Sequence, residues 1–214
     1  MERGFAYYSF GMIIDCGKQT SDKNYFTLVQ TVIPRPIAWV LSDNGNNSYN
    51  VAPFSFFNAV ASNPPLIMLS VGWKDEVTRK DTWVNIQDRS NFVVHIPSVE
   101  DIKEVVGSSI TLAHGVSEID LLHLPIEKVD GQRLPKIKGP KIAFFCEKYS
   151  IQELGGDQQG LILGKVNHVW LDDKIADLKD GRLTVDAKGI NPLARLGGSY
   201  YASLGEILKM KRPD

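Results

Sequence analysis

Cysteine is scarce in this chain, and charge of one sign is never in large excess. Two cysteines, Cys16 and Cys146, lie 130 positions apart in 214 residues. Their isolation argues against a disulfide framework or a thiolate metal cluster, and both are expected to be reduced, buried thiols. Lys plus Arg number 24 against 25 Asp plus Glu, a net charge of -1. No global field exists to hold a nucleic-acid backbone or an anionic membrane, so neither is an expected partner. No apolar run approaches the roughly 18 residues that cross a bilayer, and the first residues show no basic segment followed by an apolar stretch and cleavage signal. The expected compartment is the cytoplasm, and any ligand must be held by a local site.

Several catalytic signatures are missing as well. Neither GxGxxG nor GxxxxGK[ST] occurs, which removes the usual phosphate-binding turns of parallel sheets. There is no GxSxG elbow to support a hydrolase triad. The four histidines (His95, His114, His123, His168) form no HExxH and no metal-ligand spacing, so most are expected to be structural and no metal is expected.

What is present is a series of short apolar runs bounded by turn signals. Ile33 to Leu41 (IPRPIAWVL) precedes an Asn44-Gly45 pair, a strong hairpin signal. Leu66 to Val71, Phe92 to Ile96, Lys141 to Tyr149 and Leu161 to Trp170 carry the β-branched and aromatic bias of further strands. Helices are expected at Asp81 to Gln87, with Asp81 as the N-cap, and at Val99 to Val106 after a capping Ser98. Thr20 to Gln30 and Ser203 to Met210 are weaker candidates. Because helices do not alternate with strands, a mainly β fold is expected: an antiparallel barrel with peripheral helices, residues 1–214 forming one domain.

Two patches carry candidate chemistry. Asn50 to Pro65, NVAPFSFFNAVASNPP, interleaves Ser55, Asn58, Ala59, Ala61 and Ser62 with Phe54, Phe56 and Phe57. Small residues admit a flat or phosphorylated ligand to backbone N–H groups while aromatics wall it; a packed core strand is the competing reading. In Thr78 to Asn85, TRKDTWVN, Arg79 and Lys80 supply positive charge, Thr82 a hydroxyl and the helix start its unsatisfied N–H groups. That combination suits a phosphate, and it also describes an ordinary solvated turn.

PRPIAWVLSDNGNNSYNVAPFSFFNAVASNPPLIMLSV, followed by TRKDTWVNIQ, GLILGKVNHVW and ARLGGSYYASLGE, resembles the flavin reductase-like family from about Asn24 to Glu206. The resemblance implies a six-stranded antiparallel Greek-key split barrel, a homodimer, and FMN in a groove at the dimer interface. Carried onto this sequence, it implies cofactor contacts at Ser55, Phe57, Asn58 and the backbone of Ala59. It implies a phosphate-side element at Lys80, Asp81 and Thr82, with Arg79 assisting or facing water. It brings Tyr200 or Tyr201 towards the flavin, and Arg195 into an interface or structural pair. Where several members carry Gly-Asp-His, this chain reads Gly156, Asp157, Gln158; an amide cannot transfer a proton near pH 7, which weakens NAD(P)H as the direct donor. The implied function is an FMN-dependent oxidoreductase passing hydride or electrons through the flavin. The alternative is a non-catalytic FMN-binding electron carrier served by a protein donor.

Overall fold

The computed structural model describes residues 11–45, 47–155, 159–211 and 213. Gly156, Asp157 and Gln158 lie outside the described residues. Among these residues seven strands build one antiparallel sheet: β1 (Ala38–Asp43), β2 (Tyr49–Phe54), β3 (Phe57–Ser62), β4 (Pro65–Gly72), β5 (Asn91–His95), β6 (Ile142–Leu154) and β7 (Gln159–Leu171). The spatial order is β2-β1-β5-β6-β7-β4-β3. The resemblance implies six strands; the sheet has seven because the Asn50 to Pro65 segment yields two, parted at Ser55 and Phe56.

That parting shapes the sheet. β2 and β3 are consecutive in the chain yet occupy its opposite edges. Only Ser55 and Phe56 separate them, and three residue steps reach at most about 11 Å, so the sheet must curl until its edges meet at this corner. The core is built accordingly: one cluster takes a residue from every strand, among them Val40, Phe54, Phe57, Leu69, Phe92, Cys146 and Ile162.

Helix α1 spans Ser21–Thr31, and its N-cap Thr20 accepts from the Lys23 N–H. Helix α2 (Asp81–Arg89) pushes Trp83 and Ile86 into the cluster inside the curl. β7 makes room for Trp83 and for Phe92 of β5: a Cβ on Gly160 would lie 1.2 Å from the Trp83 ring, and one on Gly164 would lie 2.4 Å from Phe92. The glycines of GLILGK are therefore required by close packing. The other face of β1, Trp39 and Leu41, packs on a second cluster with Val105, Ile119 and Ile137. Covered on both faces, β1 reads as a continuous apolar run.

Four sequence expectations change. Lys80, not Asp81, is the N-cap of α2, in extended conformation and without a side-chain cap bond. Val99 to Val106 opens as a 3-10 turn, with the Ser98–Asp101 capping box, before helix α3 (Ile102–Gly107). Ser203 to Met210 forms no helix; Leu204, Ile207, Leu208 and Met210 are exposed and find no surface on their own chain. Cys16 is exposed, whereas Cys146 is buried as expected.

Candidate active-site groove

Three cavities of about 80, 210 and 190 Å³ open along the end of β2 and share Pro53 and Phe54 as walls. Each is below the roughly 300–1,000 Å³ of a typical ligand cleft, but their common walls make them one groove. It runs from the start of α2, past Ser55, to Tyr201.

At the α2 end the charges can be paired off. Asp81, the first residue of the helix, is buried, and its Oδ2 accepts from Lys74 Nζ at 2.7 Å while Oδ1 meets His114 Nδ1. Lys74 also donates to the Leu112 carbonyl at 3.0 Å. Glu118 accepts the Val51 N–H at 2.9 Å, and burial pushes its carboxyl above the usual carboxylate range. Both carboxylates are thus engaged. Lys80 is not: among the described residues no carboxylate pairs with it, and its ammonium lies 5.7 Å from the centre of the Phe54 ring. Burial, and then the charge of Lys74, lower its pKa. An ammonium that is disfavoured where it stands, beside uncapped helix N–H groups, is a site for an anion. Thr82 completes it. Its Oγ1 accepts from Asn50 Nδ2 at 2.9 Å, which leaves the hydroxyl proton to donate elsewhere.

Further along, the middle cavity is walled by Phe54, Phe56, Tyr25, Gly72 and Gln159. Gln159 donates to Ser70 Oγ at 2.7 Å, and Tyr25 of α1 meets Phe56 at 6.3 Å between ring centres. Ser55 sits at the bend between β2 and β3. Its oxygen accepts from Arg35 Nε at 3.3 Å. Arg35 is buried and spends its remaining bonds on main chain: Val29 and Val32 carbonyls at the end of α1, and Leu196 near the C-terminus.

The structure thus brings Ser55, Lys80, Asp81, Thr82 and Tyr201 into one groove. Phe57 points into the core instead. Asn58 and Ala59 are exposed on edge strand β3, and Tyr200 is 73% exposed; within the single chain none of these four lines the groove. Arg79 faces away, held between Trp73 and Trp83 and paired with Glu153. Arg195 stacks on Tyr201, 4.4 Å from its ring centre, at the groove's far end. Among the described residues no three His, Cys, Asp or Glu converge as metal ligands, and no helix is long and apolar enough to cross a membrane.

A family model described as flavin reductase like domain matches residues 30–193. The chain belongs to this family. This flavin reductase like domain is 34% identical over 208 residues to the uncharacterized protein YwrF of Bacillus subtilis, covering 95% of the chain and 100% of that protein. Nitrilotriacetate monooxygenase component B from Bacillus cereus has a similar structure, at 33% identity and TM-score 0.85, covering 94% of this chain and 98% of that one. The Pseudomonas fluorescens 2-nitrobenzoate 2-nitroreductase NbaA is 26% identical with TM-score 0.84, covering 94% and 96%.

Sequence reasoning missed several residues that line the flavin reductase like groove, among them Tyr25, Lys74, Glu118 and Gln159, and two that hold its residues from behind, Arg35 and the Asp81 partner His114. Arg35 carried a signal, a charged residue between two prolines in an otherwise apolar run. His114 carried none, since 33 residues separate it from Asp81.

Proposed function

We propose that this chain is an FMN-dependent oxidoreductase of the flavin reductase type, holding FMN non-covalently in the groove beside β2. The observation that carries the reading is Lys80, a partly buried ammonium without a described counter-ion at the uncapped start of α2. The FMN phosphate supplies that anion, with Thr82 donating a hydroxyl bond. Asp81 is kept from repelling it by its ion pair with Lys74, while His114 occupies its other oxygen. Phe54, Phe56 and Tyr25 offer apolar walls to a flat ring, and Ser55, whose oxygen already accepts from Arg35, has its proton free for the cofactor. The bound flavin supplies hydride or electron transfer; the protein binds, orients and shields it. The donor is NAD(P)H or a protein.

The assembly we propose is a homodimer. Tyr25, Phe26 and Leu28 on α1, Val32 just after it, Val60 on β3 and Leu204, Ile207 and Leu208 near the C-terminus leave more apolar surface exposed than one chain covers. A partner laid over the β3 edge brings Asn58, Ala59 and Tyr200 to the cofactor. The test is direct: purified protein carries or takes up one FMN per chain, releases it on denaturation, and sediments as a dimer at low micromolar concentration. Folded protein that binds neither FMN nor FAD overturns the function, and a monomer with full FMN affinity overturns the shared site.

A further inference from the structure

Beyond Ser55 the groove ends in a cavity of about 190 Å³ that Lys80 does not reach. Its walls include Tyr25, Phe54 and Tyr201, with the hydroxyls of Ser55 and Ser109, and its lining holds no Asp or Glu. The one charged group in that lining is Arg195. Its guanidinium stacks on Tyr201 and gives one bond to the Gly198 carbonyl. Among the described residues no carboxylate pairs with it. Arg35, buried behind Ser55, carries a second positive charge close enough that the field of Arg195 helps to lower its pKa, after burial.

We propose that this cavity is a subsite for a planar aromatic carboxylate, bound beside the flavin; this rests on reading the rest of the groove as the flavin site. The chemistry is specific. A guanidinium fork takes a carboxylate through two parallel hydrogen bonds, and its half-buried charge gains more from an anion than from a neutral group. Tyr25, Phe54 and Tyr201 provide faces and edges for one aromatic ring. A phosphate is served at the opposite end of the groove, where Lys80 and the start of α2 stand, and aromatic walls add nothing for it. The ligand at Arg195 is therefore acidic and aromatic together.

Benzoate is the probe, and benzamide its neutral isostere. In the FMN-loaded protein, benzoate should perturb the flavin absorption bands saturably, and benzamide should bind at least tenfold more weakly. Arg195→Gln should weaken benzoate at least tenfold with the thermal midpoint retained, and Arg195→Lys should restore part of the loss. Benzoate that competes with FMN, or binds no better than benzamide, or binds equally well to Arg195→Gln, overturns the subsite. Calorimetry on flavin-free protein keeps the two readings apart: Arg195-dependent benzoate binding without any FMN binding preserves the subsite and defeats the flavin reading. FMN binding without benzoate binding does the reverse.

Discussion

Arg35 Nε donates to Ser55 Oγ at 3.3 Å, and through this bond a buried charge reaches the bend that joins the two edge strands of the sheet. The guanidinium is held by main-chain carbonyls, two of them at the C-terminal end of α1, where the helix dipole favours a cation. It ties α1, the β2–β3 bend and the 196 region together from one position.

Arg35→Met therefore removes a donor from three main-chain carbonyls at once. We expect a loss of about 2–4 kcal/mol, on the scale of a disrupted buried polar network, read as a lower urea midpoint. Ser55 loses its orienting partner as well, so FMN affinity should fall further than in Ser55→Ala measured under folding conditions.

Lys74 and Asp81 form a largely buried ion pair at 2.7 Å, with side chains 12% and 4% exposed. Removing one partner strands the other, so Asp81→Asn should destabilise by about 3 kcal/mol. Lys74→Met combined with Asp81→Leu should recover part of that loss in the same urea titration. Equal losses in single and double variants would show that the pair is not the cause.

Gly160 has no room for a side chain. Gly160→Ala sets a methyl group against the Trp83 ring, so either β7 or the first turn of α2 must shift. A loss of about 1–3 kcal/mol is the usual scale of overpacking. Because Trp83 follows Thr82, FMN binding should weaken too, and the Trp fluorescence maximum should move.

His95 is buried, with Nδ1 2.9 Å from the Trp39 carbonyl and Nε2 accepting the Ile137 N–H at 3.0 Å, so the fold requires the neutral ring. Burial, with a smaller push from Lys136, lowers its pKa to about 4 from the ordinary 6.5. Between those values the unfolded chain binds a proton that the folded one refuses. Stability from this group is fully present above pH 6.5 and is lost as pH falls, the loss reaching roughly 3 kcal/mol by pH 4. Urea midpoints across this range should show the decline, and His95→Gln should be less stable overall but flatter with pH.

The fold was legible wherever local pattern and tertiary role coincide. The strands around Val40, Val93 and Phe145 are apolar because they are buried, and Asn44-Gly45 turns a hairpin as read. Asp180-Gly181, with both residues at positive φ, turns a second hairpin between Ala176–Lys179 and Arg182–Val185 that sequence reading passed over despite the same signal. Ser203 to Met210 has helical spacing but no surface to pack on, and short helices depend on packing. In the groove, Lys80 and Thr82 could be found because charge and helix start are adjacent in sequence. Phe57, a cofactor contact by the family resemblance, packs in the core of the single chain, because the bend at Ser55 and Phe56 changes which face each following residue takes. Tyr25 joins the groove, and Arg35 and His114 reach Ser55 and Asp81, only through folding.

The central claim is that the groove holds a flavin phosphate at Lys80, and the most direct measurement is an equilibrium titration of flavin-free protein with FMN and with riboflavin, repeated for Lys80→Ala. A charge-assisted bond of about 1.5–3 kcal/mol corresponds to roughly 10- to 150-fold in affinity. Lys80→Ala should lose about that factor for FMN while riboflavin, which has no phosphate, binds nearly as before. Equal losses for the two ligands, or FMN binding untouched by the substitution, would contradict the account.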